Sequence, residues 1–155
     1  MEKESYFSKI LRFQFNYFPA YRCCGAKIIY VSAELLDVKI ELPLRRNNKS
    51  HIGSIWGGSL YSSIDTVYTI MLSQTFGIKY ILLDKDESIH FLKPAYKKLY
   101  AHLRLDKPNI KHTALEYQER GKTERIYDIE LKDDNDRTYL HAEKQYIYDI
   151  GCDLG

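Results

Sequence analysis

The feature that most constrains this chain is the segment Gly57–Phe76, which reads GGSLYSSIDTVYTIMLSQTF and is almost free of charge. Asp65 is its single Asp, Glu, Lys or Arg, and no other lies between His51 and Lys79. A helix with one face in water normally carries a charged stripe opposite its apolar stripe. Because this segment has no such stripe, we predict a central helix that is covered on most sides.

The apolar residues of this segment repeat with the period of an α-helix. Four of them fall on one line, and three more widen that face: Leu60, Ile64, Val67 and Met71, then Tyr61, Tyr68 and Leu72. The remaining arc is small and uncharged, so a second copy of the chain is the simplest cover for it. A covered carboxylate must be paired, hydrogen-bonded or protonated, which makes Asp65 a candidate functional residue.

Composition indicates a soluble globular protein. The 155 residues fit a single domain over 1–155, with 45% apolar and 28% charged residues. A net charge of +2 gives no electrostatic case for binding nucleic acid. The central segment holds too much Ser, Thr and Tyr for a membrane span, and residues 1–19 lack the apolar core of a secretion signal. We therefore expect a cytoplasmic protein.

The three cysteines, Cys23, Cys24 and Cys152, do not form a disulfide framework, since two are adjacent and the count is odd. No Cys/His cluster has the spacing of metal ligands. We predict reduced thiols, no metal and no redox cofactor.

Hydrophobic periodicity predicts the order of the elements. A helix over 5–18 is followed by two strands within 26–44, the central helix, and four strands with a short helix over 109–120. The first helix carries an apolar stripe that we expect to pack on the outside of the core or on a partner: Tyr6, Ile10, Phe13 and Tyr17. A mostly antiparallel sheet of about six strands around one long helix is an α+β arrangement.

The segment SHIGSIWGGSLYSSIDTVY resembles the hotdog-fold thioesterases, in particular those like the phenylacetate thioesterase. Their pattern is a Gly-Gly pair that opens the central helix and an acidic residue seven positions after the second Gly. Gly57, Gly58 and Asp65 match this pattern. Together with YILLDKDESIHFLKP, the segment is similar to the hotdog family known as domain of unknown function 4442. The resemblance covers roughly residues 10–150.

This resemblance implies a hotdog fold with an extra N-terminal helix, and a homodimer or tetramer. It also implies that an acyl-CoA or acyl-carrier thioester binds at the dimer interface, with coenzyme A present only as part of the substrate. The backbone at Gly57 and Gly58 would polarise the thioester carbonyl. Asp65 of the other subunit would act as general base or nucleophile.

Elementary geometry supports a site shared by two chains. The first turn of a helix offers unpaired N–H groups and a positive dipole end, which suit a developing oxyanion. Gly57 and Asp65 are separated by about 12 Å along one helix at 1.5 Å per residue. Two antiparallel helices can bring these two positions together, whereas one helix cannot.

Seven further residues are candidates for contact with substrate: His51, Gly53, Trp56, Tyr61, Ser62, Thr66 and Lys93. Lys93, with Lys97 and Lys98, could meet the phosphates of coenzyme A. Two other functions remain open. The 14-residue spacing of His51 and Asp65 is similar to that in hotdog dehydratases and hydratases. The second open function is a non-catalytic protein that binds an acyl ligand. Many relatives have His at the position of Trp56, so this chain departs from the family pattern there.

Overall fold

The structure is a computed structural model that describes residues 4–77 and 81–149. In chain order its helices and strands are α1 (Tyr6–Tyr17), α2 (Pro19–Cys24), β1 (Lys27–Val31), β2 (Asp37–Leu42), α3 (Gly57–Phe76), β3 (Ile81–Phe91), β4 (Leu99–Arg104), α4 (Lys107–Arg120), β5 (Lys122–Lys132) and β6 (Thr138–Asp149). A short 3-10 turn at Arg46–Asn48 lies in the loop before α3.

The six strands form one antiparallel sheet in the order β1-β2-β4-β5-β6-β3. The central helix α3 packs its apolar residues into the core beside the inward residues of this sheet. This confirms the predicted α+β architecture. The pairing of β3 with β6 shifts register between Asp84 and Asp86.

The helix α3 has the predicted bounds, and Gly77 ends it with a positive φ of 80° that favours glycine. Its apolar face is buried in the core, as predicted. The opposite arc is different, since Ser62, Thr66 and Ser73 are exposed in the single chain. One chain therefore covers only part of a helix that has no charged face.

The N-terminal segment forms the predicted helix α1, with Ser5 as its cap. Its apolar stripe does not pack on the core, because Leu11 and Phe15 on another side of the helix make that contact. The stripe is exposed instead, with Tyr6 at 81%. Pro19 does not simply end the helical segment but begins α2, since proline suits the first turn of a helix.

The helix predicted over 109–120 begins earlier, at Lys107, with Pro108 in its first turn. Only Thr113 and Tyr117 of this helix are buried, so the helix lies at the surface. Within the described residues, no helix has the length and apolar character needed to cross a bilayer.

Candidate active site

Asp65 lies in the middle of α3 and is anchored through one carboxylate oxygen. Its Oδ1 accepts hydrogen bonds from the ammonium of Lys144 and from the hydroxyl of Tyr61, the latter at 2.9 Å. Lys144 also donates to the backbone carbonyl of Asp65 at 3.1 Å. Among residues 4–77 and 81–149, no group donates to Oδ2. With 34% of the side chain exposed, the carboxylate is half-buried and one oxygen remains available.

Lys144 is the buried cation of the site, with a side chain only 1% exposed. Besides Asp65, its Nζ lies 3.5 Å from Oε1 of Glu87. Burial lowers the pKa of Lys144, but the hydrogen bond to Asp65 and the negative charges nearby raise it, and the net shift is upward. The ammonium therefore stays charged and holds Asp65 in place.

Glu87 and Tyr61 complete this group, which we call the Asp65 cluster: Tyr61, Asp65, Glu87 and Lys144. Glu87 lies on β3 directly opposite Lys144 of β6 in the strand register. The Tyr61 hydroxyl lies 2.6 Å from Oε2 of Glu87. Burial, followed by the hydrogen bonds to Glu87 and Asp65, raises the pKa of Tyr61 far above its usual value, so its phenol keeps its proton.

A cavity of about 200 Å³ adjoins Asp65. Ser62 and Thr66 of α3 line it beside Asp65, so the structure brings these three predicted residues together. Its other wall comes from the α1–α2 region: Phe15, Phe18, Ala20 and Tyr21. Sites for small molecules usually measure about 300–1,000 Å³, so this cavity is small for a whole ligand.

The start of α3 offers unpaired backbone donors. Trp56 is its N-cap and supplies no side-chain hydrogen bond. The N–H groups of Ser59 and Leu60 donate to the carbonyl of Trp56 at 3.0 and 3.1 Å. In the part of the chain that the structure describes, the N–H groups of Gly57 and Gly58 donate no hydrogen bond. Two donors thus remain free at the positive end of the helix dipole.

The two glycines differ in what surrounds them. A Cβ at Gly58 would lie 2.4 Å from the indole of Trp56, so that ring explains why a side chain is missing there. A Cβ at Gly57 would meet only the ring of Phe91, at an ordinary 3.5 Å. Nothing in the described chain requires glycine at position 57, and the space beside it is open to a ligand or a second chain.

The remaining predicted residues lie outside the Asp65 cluster. His51 is exposed in a turn, and no contact in the described chain joins it to Asp65. Gly53 has a positive φ of 86°, which explains its role in that turn. Trp56 is 61% exposed. Lys93 is exposed, with its Nζ 4.6 Å from the centre of the Tyr139 ring.

Two larger cavities, of about 690 and 460 Å³, have mixed polar and apolar linings and contain none of the predicted site residues. The outward face of the sheet also carries Asp128, His141 and Glu143, whose potential ligand atoms lie within 4.8 Å of one another. His141 and Asp128 contact each other directly, with 3.2 Å between Nε2 and Oδ1. These groups lie on the face opposite the buried residues of β6.

Sequence reasoning did not identify Lys144 or Glu87. A signal for Lys144 exists, because alternate residues of a strand share one face. Ala142, Tyr146 and Tyr148 are buried, so the same period places Lys144 with them. Glu87 offers no comparable signal, since the register shift before it changes which residues of β3 face inward.

Comparison with solved structures shows the same fold in several proteins. A protein of unknown function from Pseudomonas aeruginosa, a probable thioesterase, has a TM-score of 0.80 at 23% identity, covering 91% of this chain and 94% of its own. A thioesterase from Haemophilus influenzae has a TM-score of 0.68 at 12% identity, covering 99% and 97%. The PaaI protein of the phenylacetic acid degradation operon of E. coli has a TM-score of 0.62 at 16% identity, covering 89% of each chain.

These similarities show that the fold is the predicted hotdog fold. Among curated proteins, none matches the chain in sequence. The sequence pattern of one family matches residues 3–147, which is most of the chain. The chain therefore belongs to the family described as Domain of unknown function (DUF4442).

Proposed function

We propose that this protein hydrolyses acyl thioesters, with Asp65 as the catalytic carboxylate. One observation carries the proposal: Asp65 is fixed at Oδ1 by Lys144 and Tyr61, while its carboxylate lines a cavity. A carboxylate that is oriented at one oxygen and available at the other can take a proton from water or attack a carbonyl carbon. The names of the structural neighbours, which include thioesterases, agree with this chemistry.

In the hydrolytic step, Oδ2 of Asp65 accepts a proton from water as the water oxygen attacks the thioester carbonyl carbon. The carbonyl oxygen becomes an oxyanion. When the intermediate collapses, the C–S bond breaks, and the thiolate takes the proton back to leave as a thiol. If Asp65 acts as nucleophile instead, the same C–S bond breaks and water then hydrolyses the acyl-aspartyl intermediate.

The oxyanion needs donors that Asp65 cannot provide. The free N–H groups of Gly57 and Gly58 are suitable, since backbone donors in such a position are typically worth about 3 kcal/mol each. They lie about 10–12 Å from Asp65 along α3 of the same chain. We infer that Gly57 of one chain acts with Asp65 of a second chain, across a homodimer interface.

Three features of the single chain support this arrangement. The cavity at Asp65 is smaller than most ligand sites. The uncharged arc of α3 is exposed at Ser62, Thr66 and Ser73. Large apolar side chains are exposed around the start of α3: Ile52, Trp56, Phe91, Leu92 and Tyr96. A second copy would cover this arc and enlarge the cavity into a site.

The substrate class is an acyl thioester of coenzyme A or of an acyl carrier. Both carry a phosphate that a lysine can bind. Lys97 and Lys98 are already engaged, with Asp133 at 2.7 Å and Glu41 at 3.4 Å respectively. Lys93 forms no ion pair within the described residues, so it is the best of the three for a phosphate of the substrate.

Replacement of Asp65 tests the hydrolytic function. We expect Asp65→Asn to lower kcat for a panel of acyl-CoA esters by about 10²–10⁴-fold, the usual contribution of a general base. Asp136→Asn is the matched control, because Asp136 is an 86% exposed carboxylate in the β5–β6 turn, outside the Asp65 cluster, and asparagine tolerates its positive φ of 60°. Unchanged turnover in Asp65→Asn would exclude Asp65 from the reaction. If no ester in the panel is turned over by the wild-type protein, the hydrolase proposal itself fails.

A further inference from the structure

The Asp65 cluster contains more hydrogen-bond acceptors than its donor protons can satisfy. The Tyr61 hydroxyl lies 2.6 Å from Oε2 of Glu87 and 2.9 Å from Oδ1 of Asp65. A phenol has one proton, so it can donate to one of these oxygens at a time. If both carboxyl groups were ionised, the other short contact would join two lone pairs. An additional proton removes this conflict.

The charges of the cluster indicate the same number of protons. One ammonium, Lys144, faces two carboxyl groups, Asp65 and Glu87, whose side chains are 34% and 20% exposed. Two ionised carboxylates would leave an excess negative charge in this partly buried site, which is unfavourable. One additional proton on a carboxyl group makes the cluster neutral.

Geometry identifies the carboxyl group that holds this proton. Oδ1 of Asp65 receives the ammonium of Lys144 directly, which favours its ionised form. Oε1 of Glu87 is buried, accepts no hydrogen bond from the described residues and lies 3.5 Å from the same ammonium. Glu87 is therefore the weaker site for a negative charge.

We propose that Glu87 is a neutral carboxylic acid that donates to Tyr61, which in turn donates to Asp65. This makes Glu87 a positioning residue that acts through Tyr61 and leaves Asp65 the only ionised carboxylate of the cluster. Its role in turnover rests on the proposed hydrolysis, because a second negative charge beside the site would oppose the developing oxyanion. The protonation of Glu87 itself does not depend on any activity.

The groups that face Glu87 come from three elements. Tyr61 and Asp65 belong to α3, Lys144 and Tyr146 to β6, and Asp84 lies on β3 itself. Asp84 is exposed, so its charge is screened by water. Lys144 favours an ionised Glu87, whereas Asp65 and Asp84 oppose it. The direct bond between Lys144 and Asp65 leaves Glu87 with the smaller share of the cation.

Infrared difference spectroscopy tests the protonation state without any substrate. We expect the wild-type minus Glu87→Gln spectrum at pH 7 to contain the C=O band of a carboxylic acid. Glu143→Gln is the matched control, since Glu143 is exposed and directly precedes Lys144, the cross-strand partner of Glu87, on the opposite face of the sheet. Its difference spectrum should show only carboxylate bands. Carboxylate bands for Glu87 as well would overturn the proposal.

Comparison of two replacements of Glu87 tests the role of the proton in turnover. Glu87→Gln, whose amide always donates to Tyr61, should lower kcat less than Glu87→Met, which cannot donate. Equal losses of kcat in the two variants would overturn the positioning role. Tyr61→Phe should lower kcat by roughly 10-fold or more, since it removes a hydrogen bond to a charged group. If no substrate is turned over, the infrared result still decides the protonation of Glu87.

Discussion

The start and the middle of α3 are built differently. At the start, the N–H groups of Gly57 and Gly58 have no acceptor within the described residues, and the space beside Gly57 is open. In the middle, Asp65 is held by Lys144 and Tyr61 from two elements. The chain thus orients its carboxylate by itself but leaves its backbone donors unpaired. In the proposed dimer, each chain supplies its Asp65 to one site and its backbone donors at Gly57 and Gly58 to the other site.

The two regions also differ in how much the stability of the fold depends on their contacts. The Asp65 cluster is a set of mutually dependent charges, so removal of one member leaves another uncompensated. The donors at Gly57 and Gly58 are ordinary orphan groups of a helix start, which water can satisfy. Mutations in the middle of α3 should therefore change folding, whereas mutations at Gly57 should change only turnover.

The largest effect is expected for Lys144→Met, which tests the middle of the helix. Methionine fits a buried, unbranched site, but it leaves Asp65 without its counter-charge. Breaking a fully buried ion pair by removing one partner typically costs about 3–5 kcal/mol. Because Asp65 is 34% exposed and water screens its charge in part, we expect a loss of about 3 kcal/mol in the free energy of unfolding, measured by urea denaturation.

Two variants show whether this loss comes from the unpaired charge. Lys85→Met removes an exposed lysine that pairs with Glu124 at 2.9 Å, and a smaller loss is expected because water screens that pair. Lys144→Met combined with Asp65→Asn should recover part of the stability, since the amide carries no charge. Equal losses of stability for Lys144→Met and Lys85→Met would contradict the view that the unpaired charge of Asp65 causes the loss.

Gly57→Pro tests the start of the helix and has the next largest effect. Position 57 is the first of the helix, where proline is favoured, and Trp56 before it already has the extended backbone that a following proline requires. The substitution removes one N–H, so we expect kcat to fall about 10²–10³-fold with little change in stability. Gly57→Ala is the control that keeps the N–H.

Mixing two inactive variants tests whether the halves of the site come from different chains. In a dimer that joins Gly57→Pro to Asp65→Asn, one site carries both changes and the other carries neither. Co-expression of the two variants should therefore restore activity in the heterodimer. If both halves came from the same chain, each site would carry one change and the heterodimer would stay inactive.

The adjacent glycines give a smaller effect that fluorescence can follow. A Cβ at Gly58 would collide with the indole of Trp56, the only tryptophan of the chain. We expect Gly58→Ala to displace this ring and shift its emission. The free energy of unfolding should change by only about 1 kcal/mol, because alanine also favours the helix. Gly57→Ala should leave the emission unchanged. An emission shift in both variants would contradict the prediction that only a side chain at position 58 collides with Trp56.

The sequence was sufficient to predict α3 and its carboxylate. Gly57 and Gly77 mark both ends of the helix, and Asp65 is the only charge between them, so local information is enough. The six strands follow from their alternation in the same way. The exposed stripe of α1 was not predictable, because two sides of that helix are apolar and only tertiary packing selects Leu11 and Phe15 for the core.

The contacts of the Asp65 cluster could not be predicted, because most of its members are distant in the sequence. Lys144 lies 79 residues after Asp65, and Glu87 lies 26 residues after Tyr61. Their meeting depends on the register of β3 against β6, which shifts between Asp84 and Asp86. A one-residue change of register would turn Glu87 to the other face. No local pattern carries that information.

The smallest effect is expected from alkaline pH, which acts on the middle of α3 through Lys144. The pKa of Lys144 is raised in the folded protein above its usual 10.5, so the unfolded chain releases this proton first as pH rises. The contribution of the ammonium is fully present below pH 10.5 and is lost as pH rises through the folded-state pKa. We expect urea denaturation between pH 8 and 11 to show a steeper decline in the wild type than in Lys144→Met, which lacks the group. Parallel declines would mean that Lys144 titrates alike in both states and that its ion pair with Asp65 does not stabilise the fold.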